Sequence, residues 1–142
     1  VSRREGFRVT HFAVPGNHVH LIVEADETQA FVRGMKALAI RMAKGLNAMM
    51  GRSGAIFRDR YHVHVLRTPT EVLRAIRYVL GSAAVHARRQ GRDPGAHRDR
   101  FAAGPGVNDG PAATWQRFAE LGPPIAPPRS WLLRVGWARA AA

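Results

Sequence analysis

The hydrophobic pattern along the chain changes period several times. From Gly6 to Val14, Phe7, Val9, His11 and Ala13 alternate with Arg8, Thr10, Phe12 and Val14, which predicts a half-buried strand. Pro15-Gly16-Asn17 is a strong turn signal, and His18 to Glu24, rich in Val, Leu and Ile, predicts a second strand. Together they predict a β-hairpin. Gln29 to Met50 then reads as a helix, with Phe31, Met35, Leu38, Ala39, Met42, Leu46 and Met49 recurring at three- and four-residue steps. Gly51-Arg52-Ser53-Gly54 ends it. Ala55 to Leu66 predicts a third strand, and Thr68-Pro69-Thr70-Glu71 starts a second helix running to about Arg89. On that helix Val72, Ala75, Ile76, Val79 and Leu80 share one face, and Arg74, Tyr78 and Ser82 a neighbouring one.

Beyond Gly91 the periodicity fades and Pro and Gly dominate up to residue 128. Trp131 to Trp137 is a short apolar piece expected to dock back on the core. The expected domains are therefore residues 1–90 and an irregular extension, residues 91–142. Three strands make a thin sheet, and the charged opening segment reads as the tail of a helix. Both features point to a fragment lacking an N-terminal strand and helix.

Composition narrows the function. The 142 residues suit one core, and 46% apolar content suits a globular chain. The chain has no cysteine, which removes disulfides, thiolate metal sites and cysteine nucleophiles. No apolar run is long enough to span a membrane and no secretory segment opens the chain, so no membrane partner and a cytoplasmic location are expected. The net charge is +12, and residues 31–100 hold 15 Lys/Arg against 4 Asp/Glu. All but Lys36 and Lys44 of these bases are arginines, whose planar forks match phosphate oxygens in pairs. Such a block is the electrostatic footprint of a nucleic-acid binder, with Arg41, Lys44, Arg58, Arg60 and Arg74 as candidate DNA contacts.

Two histidine pairs carry the candidate chemistry. On a strand, His18 and His20 would share one face roughly 7 Å apart, near enough to converge on one cation, with Val19, Leu21 and Val23 facing the core. His62-Val63-His64 repeats the spacing, and spacing alone does not choose between the pairs. Tyr78 is a candidate nucleophile toward phosphorus, with Arg74 and Arg77 nearby to supply positive potential. Tyr61 suits packing or base stacking equally.

Three ordered segments resemble one family. Gly16-Asn17-His18-Val19-His20-Leu21-Ile22-Val23, Gly54-Ala55-Ile56-Phe57-Arg58-Asp59-Arg60-Tyr61-His62 and Arg77-Tyr78-Val79-Leu80 resemble motifs of the HUH single-tyrosine transposases, particularly the REP-associated tyrosine transposases of insertion-sequence-200-like type. The resemblance covers about residues 4–89. It implies an α+β fold, with a ferredoxin-like antiparallel sheet carrying helices on one face. It also implies Mg²⁺ or Mn²⁺ held by His18 and His20, and attack by Tyr78 on single-stranded or hairpin DNA. A 5′-phosphotyrosine link and a free 3′-hydroxyl would result. It favours His18/His20 over His62/His64. The family usually carries Asn or Gln four residues after the tyrosine as a third metal ligand; here that position is Ser82, a shorter and poorer one. Two further expectations stand beside the nickase-ligase: a hairpin-binding remnant without cleavage, and a zinc- or iron-type hydrolase using all four histidines. A homodimer is allowed.

Overall fold

The computed structural model describes residues 3–89, 91, 102–103 and 125–140. The fold is α+β. A short strand β1 (Arg3–Arg4) turns at Glu5-Gly6 into β2 (Phe7–Ala13), which pairs antiparallel with β3 (His20–Ala25). Two long helices follow, α1 (Thr28–Met49) and α2 (Pro69–Arg89). A two-residue strand β4 (Ala102–Ala103) joins the same edge of the sheet as β1, pairing with Phe12 and Ala13. The chain closes with a π-helical turn (Leu132–Gly136) running into α3 (Trp137–Arg139).

A β-bulge in β2 organises both layers. Val9 pairs with Val23 but His11 pairs with Ile22, so Thr10 is the extra residue. It is anchored by its hydroxyl, which donates to the Ile22 carbonyl at 3.0 Å. Inserting one residue inverts the alternation. Phe7 and Val9 therefore face one way, and His11 and Ala13 the other, instead of forming the single face that simple alternation predicts. Both faces of β2 are buried as a result.

The helices divide between these faces. On the Phe7 side, Gly34 of α1 packs against the Phe7 ring so closely that a Cβ there would sit 2.2 Å from Cγ. On the Ala13 side, Ala13 and Ile22 form a core with Val72, Ile76 and Val79 of α2. The expectation of helices on one face is therefore corrected, and the bulge is the cause. The expected core side of β3 is corrected too: Ile22 is buried, while Val19, Leu21 and Val23 are only half-buried.

Helix ends follow local chemistry. Gly51, at φ +60, ends α1: the Arg52 N–H reaches the Asn47 carbonyl and the Gly51 N–H that of Ala48, a Schellman closure. Along α1 only Ala30 and Gly34 are buried, and Leu46 and Met49 of the predicted apolar stripe are exposed. At the start of α2, the Glu71 N–H donates to Thr68 Oγ1 at 3.2 Å and the Thr68 N–H donates to the Glu71 carboxylate at 3.1 Å. This reciprocal pair is a capping box, with Pro69 in the first helical position. The Arg67 N–H also donates to that carboxylate, at 2.7 Å.

These bonds, that of Arg67 first, hold the Glu71 pKa below its usual value. A lowered folded-state pKa means stabilisation that is present above the unfolded pKa of about 4.3 and lost as pH falls through the folded value. Thr68→Ala should cost about 1 kcal/mol at neutral pH. Glu71→Gln should remove the acid-dependent part of the loss. Urea unfolding of the three proteins between neutral and acid pH checks both, and an unchanged acid slope in Glu71→Gln would count against the assignment.

The third predicted strand does not form. Residues 51–67 carry no strand, and Tyr61 to Leu66 line a cleft together with the outer edge of β3. Among the described residues no strand pairs with that edge. A strand is defined by its partner's hydrogen bonds, and here none lies alongside.

The C-terminal piece is helical and packed. Leu133 enters the core beside Val72 and Ile76, and Leu132 and Trp137 flank it. Glu24 on β3 holds the approach: its carboxylate accepts from the Arg129 N–H at 2.7 Å, the Ser130 N–H at 2.8 Å and Ser130 Oγ at 2.5 Å, and it pairs with Arg8 at 3.7 Å. The Ala126 N–H donates to the Val9 carbonyl at 2.8 Å, next to the bulge. The extension is therefore not irregular throughout; residues 92–101 and 104–124 lie outside the described residues. No helix among the described residues is long and apolar enough to cross a membrane.

Candidate functional site

Three elements bring His18, His20 and Tyr78 together. Gly16, at φ +68, permits the turn after Pro15, and the His18 N–H closes it on the Pro15 carbonyl at 3.4 Å. Pairing with β2 resumes at Ala13–His20, so β3 starts at His20 rather than His18. The predicted strand position of His18 is thus corrected: its backbone belongs to the turn. The two rings nevertheless lie nearly parallel, with centroids 6.4 Å apart and planes 17° apart.

Tyr78 arrives from α2. His20 is the register partner of Ala13, so it shares the sheet face on which α2 packs. Val72, Ile76 and Val79 hold α2 to that face, and this sets the place of Tyr78. Its ring meets His20 edge-on at 5.0 Å and 71°. Yet Tyr78 is 63% exposed. A tyrosine serving only as core packing would be covered; this one is open to a ligand.

A cleft of about 1450 Å³ opens from this point along the outer edge of β3. His20, Tyr78 and Arg74 line it, as do Tyr61, His62 and His64. Phe31 at its α1 side meets Tyr61 edge-on, with centroids 5.6 Å apart. Tyr61 was the residue whose role the sequence left open between packing and stacking.

The remaining candidates divide. Arg74 is exposed and lines the cleft, one helical turn before Tyr78. Arg41 and Lys44 are exposed on α1, and Arg58 and Arg60 on the segment before Tyr61, but none of these four lines the cleft. Ser82 follows Tyr78 by one turn of α2, and its side chain lies outside the described residues.

The donor set speaks to the kind of metal. Among the described residues no three of His, Cys, Asp and Glu come near enough to hold an ion. The His18/His20 pair offers two imidazoles and, among the described residues, no neighbouring carboxylate or thiolate to close the coordination sphere. Imidazole donors fit Mn²⁺ better than Mg²⁺, which prefers oxygen. A two-imidazole site fits a loosely held ion with most positions left for water and phosphate oxygens. No family model, curated protein or solved structure matches the chain, so the reading of the site rests on its own residues.

Proposed function

We propose that the chain is a single-stranded DNA nicking and joining domain of the HUH tyrosine transposase kind, with a ferredoxin-like sheet, Tyr78 as nucleophile and His18 and His20 as metal ligands. The observation that carries this is the meeting of an exposed tyrosine on α2 with two near-parallel histidines from the β2–β3 turn and β3. Residues 58 positions apart in sequence converge on one open site.

The Tyr78 Oη attacks the scissile phosphorus and loses its proton to water. A P–O bond forms to the tyrosine as the P–O bond to the 3′ oxygen breaks, and that oxygen leaves with the electron pair and takes up a proton. The products are a 5′-phosphotyrosine and a 3′-hydroxyl, and joining is the reverse. Arg74 holds a flanking phosphate on the cleft wall. A Mn²⁺ or Mg²⁺ held by His18 and His20 would supply Lewis-acid polarisation of the phosphate. Arg41, Lys44, Arg58 and Arg60 supply backbone contacts away from the reacting atoms.

The test is to mix the protein with a labelled hairpin oligonucleotide and Mn²⁺ and look for a covalent adduct in denaturing gels. An adduct is expected, and chelator should remove it. His18→Ala and His20→Ala should each raise the Mn²⁺ concentration needed for half-maximal adduct by about tenfold or more. A Mn²⁺ dependence untouched by either substitution would sink the metal assignment. A second reading, hairpin binding without cleavage, draws on the basic block of residues 31–100 and on serine, a poorer ligand, at position 82. It expects tight, salt-sensitive binding and no adduct.

A further inference from the structure

We propose that Tyr61 is a stacking platform for one unpaired base of the DNA strand, fixing the strand's register in the cleft that ends at Tyr78. This rests on the reading of the cleft as a single-strand site.

Both tyrosines of the chain open into that one cleft. Tyr61 is 46% exposed although it carries a large apolar ring, and it sits on a segment with no hydrogen-bonded partner strand. Phe31 holds it by a near-perpendicular contact, interplanar angle 87°. In either sense of such a T, Phe31 leaves at least one face of the phenol ring uncovered, and the residue as a whole is 46% exposed. A ring fixed by a neighbour and open on one face is what a nucleobase stacks on, with little ordering cost left to meet.

The surroundings select the ligand. Arg58 and Arg60 precede Tyr61 and are exposed, and neither takes part in an ion pair among the described residues. Arg74 lines the same cleft. An exposed aromatic ring that shares a cleft with Arg74, with Arg58 and Arg60 just before it in the chain, suits a strand whose bases are unstacked and whose backbone is anionic. A duplex keeps its bases stacked on each other and offers none to the ring.

The experiment measures binding of a short single-stranded oligonucleotide carrying one 2-aminopurine, moved along the strand. In the parent protein, fluorescence at one position should fall on binding. Tyr61→Phe, which keeps the ring, should bind like the parent. Tyr61→Ala and Tyr61→Leu should each bind about tenfold more weakly, with the quench gone and the salt dependence of binding unchanged. Binding of the matching duplex should be the same in all four proteins. Parent-like binding by Tyr61→Ala and Tyr61→Leu, or no quench at any position in the parent, would overturn the platform while leaving the cleft as a DNA site. Weaker binding by Tyr61→Phe would also overturn it, by making the Tyr61 hydroxyl, and not its ring, the contact. A parent protein that binds no single strand at all would overturn the reading of the cleft and the platform with it.

Discussion

Replacing Tyr78 with phenylalanine is expected to abolish the covalent adduct while leaving single-strand binding at the parent level. The substitution removes one oxygen and keeps the ring that meets His20 at 5.0 Å, so packing at the site is preserved. Loss of a nucleophile elsewhere costs on the order of a million-fold in rate, which here means no adduct above background. Tyr78→Ala is the less informative change, because it also removes the ring. An adduct that survives Tyr78→Phe would move the nucleophile elsewhere, with Tyr61, the other tyrosine in the cleft, the first to be tested. Preserved binding matters equally. If Tyr78→Phe loses both adduct and affinity, the tyrosine holds DNA and its chemistry is unproven.

The second large effect concerns the seat of α1. Phe7 is fully buried, and its ring fills the notch left by Gly34. Phe7→Ala should lose about 3–5 kcal/mol, the range for an aromatic removed from a core. Gly34→Val should lose about 3 kcal/mol through overpacking, because its Cβ would fall between 2.2 and 2.6 Å from three ring carbons. Valine gains less helix propensity over glycine than alanine does, so little offsets the clash. Combining Gly34→Val with Phe7→Leu should cost less than the two separate losses added together, since the smaller side chain vacates the space. Urea unfolding midpoints at constant slope measure these variants and Phe7→Leu alone. Strict additivity would mean that the two residues do not share one space. Because α1 and α2 grip opposite faces of the sheet, the Phe7 and Gly34 changes should lower stability without altering the His20–Tyr78 contact.

What the sequence determined on its own was local. Both strands of the hairpin, the turn at Gly16, the two long helices and their ends at Gly51 and Thr68-Pro69 followed from periodicity, turn chemistry and capping. These features depend on residues a few positions apart, which a linear reading compares directly. The candidate residues His18, His20 and Tyr78 were also visible, as residue types and spacings.

Tertiary structure decided everything that depends on which face points where. Simple alternation put Phe7 and Ala13 on one side of β2, and the bulge at Thr10 separated them. Nothing in Val9-Thr10-His11 announces a bulge, because it arises from the pairing of two strands and not from one. That single inserted residue sends α1 and α2 to opposite faces and leaves His20 on the side of α2. The same reason removed the third strand: residues 55–66 have strand-like composition, but a strand also needs hydrogen bonds to a neighbouring edge, and among the described residues this segment pairs with none. Packing likewise separated the two tyrosines. Both read as aromatic residues beside arginines, and only the fold sets one against His20 and the other against Phe31.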